Sequence, residues 1–213
     1  MGKTVITGLF LKYLLDKGVN AVTQKWVQTG CYGSSEDIET HYRIAGEGAV
    51  SAGSKQDMAP YILKFPASPH FAALRENTVI DPAKIKDAYA HLKNQFDIVI
   101  VEGVGGPLVP INEDTTIADI TADIKLDTVI VAENRLGAIN QTLSAVEVLE
   151  KRGINIAGII FNRISKGGND DILKDNIDIV QKFTGKVLGE IPFSKNSDVL
   201  YNAFLSIGEK IFL

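Results

Sequence analysis

The strongest constraint in this chain is an alternation of short apolar runs with longer amphipathic segments. Residues 98–101, 128–132 and 157–161 are continuous apolar stretches rich in Val and Ile. That is the pattern of strands covered on both faces, as in parallel sheets. Val5, Ile6, Leu9, Phe10, Tyr13 and Leu14 instead recur at helical spacing, and Gly18 follows as a stop. The same reading predicts a strand over 21–27 and a short helix over 38–44. Asp81-Pro82 caps and opens a helix running to about residue 95. Helices over 139–152, 170–183 and 199–207 and a strand over 187–191 complete the pattern. There is no repeat, linker or low-complexity segment. The expectation is α/β: a single domain over 1–213, built on a doubly wound, mostly parallel sheet, with ligands bound beyond the carboxyl ends of the strands.

Composition narrows the function classes. With 213 residues and 45% hydrophobic content, the chain can bury a core of one domain. Its net charge of −4 gives no general attraction for nucleic acid or an anionic membrane, so neither is expected as a partner. The one cysteine, Cys31, cannot form an intrachain disulfide, and a reducing cytoplasm fits best. No run approaches the roughly 18 apolar residues of a membrane span. The stretch VITGLFLKYLL is broken by Lys12 and lacks a cleavage site after it, and Ile6 stands where a myristoylation motif needs Ser or Thr.

Three motifs carry chemistry. Gly2-Lys3-Thr4 leads directly into a helix, as does the end of a phosphate-binding loop, G-x-x-x-x-G-K-[ST]. In such a loop backbone N–H groups cradle phosphates, the Lys reaches the terminal phosphates and the hydroxyl binds Mg²⁺. The first glycine of that pattern, and the strand feeding it, would fall ahead of Met1. Second, DIVIVEGVGG puts Glu102 just past a strand, followed by Gly103, Gly105 and Gly106. A strand-end carboxylate suits a hard cation, and three glycines within four residues suggest the close approach of a ligand or backbone. Third, Lys25 lies within a strand, where its ammonium must reach either an anion or water. Asp37 reads equally as a second metal carboxylate or as a first-turn helix acid, and Asn162 as a base-reading amide or a turn residue. His41, His70 and His91 lack metal-ligand spacing and read as non-catalytic, with His70 in a turn.

Taken in order, these segments resemble the dethiobiotin synthetase family over nearly the whole chain. GKT at 2–4 is similar to the end of that family's G-T-D-T-x-V-G-K-T loop, and KWVQTG at 25–30 to its K-P-V-x-S-G. SPH at 68–70, VEGVGGPLVP at 101–110 and RLGAINQ at 135–141 resemble its S-P-H, V-E-G-A-G-G and K/R-L-G-x-I-N-H segments. FNR at 161–163 and GEIPF at 189–193 resemble its nucleotide-base loops. The resemblance implies an ATP-dependent ligase of biotin synthesis that joins 7,8-diaminononanoate and CO₂ (supplied as bicarbonate), through a carbamate and a mixed anhydride with phosphate. It implies Lys3 and Lys25 as catalytic cations, and Thr4, Asp37 and Glu102 as holders of Mg²⁺. ATP would be contacted by Met1, Gly2, Lys3, Thr4 and Val5, by Asp37 and Glu102, and by Gly103, Val104 and Gly105. Asn162, Arg163, Pro192, Phe193 and Ser194 would line the base pocket. Thr29, Leu136, Gly137 and Asn140 would bind substrate, the last three reaching across a homodimer.

This chain departs from the family pattern at Trp26, Thr29 and Gln141. Half of the phosphate loop and the first strand are also expected to be missing, as in an N-terminally truncated form. Three alternatives remain at this level: a cobyrinate-type ligase on the same scaffold, a partition-type ATPase, and an inactive fragment.

Overall fold

The computed structural model describes residues 2–46 and 54–212. They fall into two compact units, one of Thr7–Ile124 and one of Met1–Ile6 with Lys125–Leu213.

Helix α1 (Lys3–Asp16) lies from Thr7 onward in the first unit, where it buries Leu9, Leu11 and Leu14, and it ends before Gly18, as its spacing predicts. The strand expected over 21–27 is two strands, β1 (Ala21–Lys25) and β2 (Val27–Thr29). The chain changes partner at the buried Trp26, whose Nε1 donates to Gln24 Oε1 at 3.1 Å. Next come α2 (Glu36–Ala45), α3 (Lys55–Met58), β3 (Tyr61–Leu63) and α4 (Pro69–Arg75). Ser68-Pro69 therefore starts a helix, and His70 lies in its first turn. In α5 (Pro82–Lys93) the Asp81 side chain accepts from the Ala83 N–H at 2.8 Å. The unit closes with β4 (Ile98–Glu102) and α6 (Ile117–Asp123), the latter opened by a Thr116–Asp119 capping box. β1 pairs with β4 and β2 with β3, both in parallel. Val22, Met58, Leu92 and Phe96 form a core that joins β1 to the helices around it.

In the second unit β5 (Thr128–Glu133), β6 (Ile156–Asn162) and β7 (Val187–Ile191) make one parallel sheet in that order. The intervening helices are α7 (Ala138–Lys151) and α8 (Asp170–Thr184), and α9 (Ser197–Phe212) follows β7. α7 packs on β5 and β6, α8 on β7, and α9 on β6 and β7. Central β6 is buried almost throughout. β4 and β5, predicted to be covered on both faces, are mostly half-buried. Every ladder among the described residues is parallel and helices separate the strands except β1 and β2, so the α/β class read from the sequence holds.

Candidate active site

The parallel register of β1 and β4 sets Lys25 opposite Glu102, the last residue of each strand. Helix α2 presents Asp37 and, one turn later, His41. Its start is tied to β2, because Ser35 caps the helix and donates to Gln28 Oε1 at 2.7 Å. The Lys25 ammonium meets Asp37 Oδ2 at 2.8 Å, Glu102 Oε1 at 2.9 Å and the Gly103 carbonyl at 3.4 Å. All three of its donors are thus answered, as a lysine only 4% exposed requires. This decides between the two readings of Lys25, since the side chain does not reach out to water. Asp37 is both a first-turn acid and an ion-pair partner.

The second oxygen of Glu102 is also engaged: Oε2 lies 2.7 Å from His41 Nε2. Burial pushes the Glu102 carboxyl up, but the His41 hydrogen bond and the Lys25 charge outweigh it and hold the group at about 2, below its ordinary 4.5. Glu102 is therefore an anion throughout the neutral range.

The turn after Glu102 needs one of its three glycines. A Cβ at Gly105, where φ is +67°, would lie 2.6 Å from Val109 Cγ2, and one at Gly103 would touch Ile117. Around Gly106 there is open space, so packing does not require that glycine. Val104 in this turn and Thr29 at the end of β2 are both half-buried.

In the other unit Lys3, Thr4 and Val5 form the first turn of α1, and Gly2 backs directly onto the Asn162 amide at the end of β6. Arg163 N–H donates to the Ile191 carbonyl at 3.0 Å, which sets residues 162–163 beside Pro192, Phe193 and Ser194. Met1 lies outside the described residues. A partly buried polar network underlies this loop. Glu190 Oε1 accepts from Arg163 Nε at 2.8 Å and from Asn134 Nδ2 at 2.6 Å. Asn176 Nδ2 then donates to Asn134 Oδ1 at 2.9 Å and to the Arg135 carbonyl at 3.1 Å. The same network thus steadies the Arg135–Leu136–Gly137 turn that opens α7. Leu136, Gly137 and Asn140 line one open groove of about 720 Å³, together with Asp171, Asp175 and Asn176.

His41, Asn134, Asn176 and Glu190 were not singled out from the sequence as members of a site. Only His41 carried a local signal, its position four residues after Asp37 on one helix face. Among the described residues no three His, Cys, Asp or Glu side chains converge as a metal cage. Asp37 and Glu102, two hard oxygen donors at one lysine, suit instead a cation that takes most of its ligands from phosphate and water, as Mg²⁺ does.

A family model described as an AAA domain matches residues 1–199. The likeness to solved structures at low identity concerns the fold alone. The MinD cell division protein of Aquifex aeolicus superposes with a TM-score of 0.59 at 16% identity, over 99% of this chain and 92% of that one. A ParA family ATPase from Chlorobium tepidum gives 0.55 at 14%, over 99% and 91%. Both carry the P-loop type of α/β fold. Sequence relatives are nearer. The ATP-dependent dethiobiotin synthetase BioD of Chlorobaculum tepidum is 41% identical over 163 residues, covering 76% of this chain and 68% of that protein. Its counterpart in Halalkalibacterium halodurans is 34% identical over 201 residues, covering 91% and 81%. Identity of this depth and span, joined to the ordered motifs and the P-loop type of fold, places the chain in the family of ATP-dependent dethiobiotin synthetases.

Proposed function

We propose that this protein is a ligase that closes 7,8-diaminononanoate and CO₂ into dethiobiotin at the expense of ATP, working in the cytoplasm as a homodimer. The observation that carries the reading is Lys25, a buried ammonium held between two carboxylates at adjacent strand ends. One substrate amine adds to CO₂ and loses a proton, giving a carbamate. A carbamate oxygen attacks the γ-phosphorus and ADP leaves. The second amine attacks the carbamoyl carbon, phosphate departs and the cyclic urea closes. Charge builds on oxygen in both transfers, and a preplaced ammonium that needs no reorganisation stabilises it.

Lys25 is suited to this because its Asp37 contact is one-quarter open on the acid's side. An incoming carbamate or phosphate can take over that position at the lysine. Mg²⁺, when bound, neutralises phosphate charge, and Asp37 and Glu102 are the carboxylates that would hold it. Lys3, Thr4 and the helix start at Gly2 are suited to the phosphates. Asn162 and Arg163, with residues 192–194, are suited to the base. The exposed Leu136–Gly137 turn and Asn140 would meet the substrate carboxylate of the partner subunit. In the assay, purified protein with MgATP, the diamine and labelled bicarbonate yields labelled dethiobiotin by mass spectrometry. ATP hydrolysis indifferent to the diamine, with no label in a urea, refutes the proposal.

A further inference from the structure

His41 has no exposed surface, and the reaction outlined above makes no use of it. Its Nε2 stands 2.7 Å from Glu102 Oε2, while its Nδ1 has no hydrogen-bond partner. An imidazole protonated on Nδ1 would bury an N–H with nothing to accept it, which is costly. A bare Nε2 facing a carboxylate at that distance would oppose two lone pairs. The arrangement therefore fixes one tautomer, with Nε2–H donating to Glu102 and Nδ1 bare. The ring's place is itself built in. Gly8 of α1 has no Cβ, and one there would lie 2.9 Å from Ile44 Cβ and 3.2 Å from the His41 Cα. The two helices can approach this closely only because that residue is glycine.

We propose that His41 is a positioning residue that divides the labour of the Glu102 carboxylate: it anchors Oε2, so that the group keeps its direction when Oε1 passes from the Lys25 ammonium to a divalent cation. A carboxylate held at one oxygen keeps its plane and direction when its other partner changes. An unanchored one turns about its last bond, and a paired lysine can then engage both oxygens. Partners of this kind, which orient a metal-binding carboxylate without touching the metal, commonly change metal affinity by about 10–100-fold when lost. The inference rests on the reading that Glu102 faces the nucleotide-bound cation.

The test compares His41→Gln, whose amide keeps an N–H donor at similar reach, with His41→Leu, which fills the space without one. Thermal melts establish folding, and binding of a fluorescent ADP analogue is titrated with Mg²⁺ and again in EDTA. For His41→Leu the expected result is a loss of at least about tenfold in apparent Mg²⁺ affinity, with metal-free ADP binding close to wild type. His41→Gln should retain most of the Mg²⁺ response. Equal losses in both variants, weakening that is the same with and without Mg²⁺, or wild-type Mg²⁺ affinity in His41→Leu overturns the proposal. If His41→Leu does not fold, His41→Gln decides alone: near-wild-type Mg²⁺ affinity supports the proposal and a tenfold loss refutes it. Wild-type ADP binding that ignores Mg²⁺ overturns it as well. No diamine enters these titrations, so a protein that passes them yet makes no dethiobiotin would refute the ligase reading alone.

Discussion

Replacing Lys25 by Met removes the ammonium and keeps an unbranched apolar stem, which makes it the cleanest probe of the buried charge cluster. Glu102 would lose the ammonium at its Oε1, with its side chain 3% exposed. In the native protein its carboxyl is held at about 2 against an ordinary 4.5. A group depressed in this way adds stability above its unfolded value, and that contribution is lost as the pH falls from 4.5 through about 2. At 1.36 kcal/mol per pH unit the whole depression is worth about 3 kcal/mol. Lys25 supplies part of this, and its loss also leaves burial less opposed. Lys25→Met should therefore cost about 3 kcal/mol at neutral pH, at the lower edge of the roughly 3–5 kcal/mol seen when one partner of a buried pair is removed. The variant's Glu102 can escape the penalty by taking up a proton, so its deficit against wild type should shrink on acidification to about pH 4. The double change Lys25→Met/Glu102→Gln removes the stranded charge and should be at least about 1 kcal/mol more stable than the single change at neutral pH. Urea unfolding followed by the fluorescence of Trp26, the chain's one tryptophan, measures all three. A cost below about 1 kcal/mol, or a deficit that widens in acid, refutes the reasoning.

Two further outcomes are expected. Gly8→Ala improves local helix propensity by up to about 1 kcal/mol, but its methyl group would press on Ile44 and the α2 backbone. Overpacking of that kind costs roughly 1–3 kcal/mol, so urea unfolding should show net destabilisation, and a stabilised variant would remove the case for a tight α1–α2 contact. If Leu136, Gly137 and Asn140 complete the partner subunit's substrate site, inactive Lys3→Ala and Asn140→Ala chains should regain part of their activity when mixed, since one site of each heterodimer has both residues intact. No recovery despite proven subunit exchange would count against a shared site.

What could be read from the sequence follows from how local each signal is. β4, β5 and β6 were legible because each carries a continuous apolar run rich in Val and Ile. The Asp81-Pro82 pair announced α5 for a purely local reason. By contrast β3, α3 and α6 span only three, four and seven residues, too few for any period to show. The break at Trp26 was invisible because residues 21–29 are uniformly suited to strands, and only the choice of partner divides them. The site shows the same division. Lys25 and Glu102 stood out because each ends a strand, where chemistry collects in such folds. His41 did not, because its meaning comes from a carboxylate 61 residues further along the chain. Glu190 likewise gains its role only through Arg163 and Asn134, which come from neighbouring strands of the sheet.

The register that sets Lys25 against Glu102 also dictates an order of events during synthesis. The two residues are 77 positions apart, whereas Asp37 follows Lys25 closely. At about 5–20 residues per second on the ribosome, Glu102 emerges roughly 4–15 seconds after the lysine it will neutralise. Through that interval β1 has no β4 beside it, and of the two carboxylates that will hold Lys25 only Asp37 has been made. The ammonium cannot be fully buried until the fourth strand arrives, so the strand that closes the sheet is also the one that completes the charge cluster. For a nascent chain, closing the sheet and finishing the site are a single step.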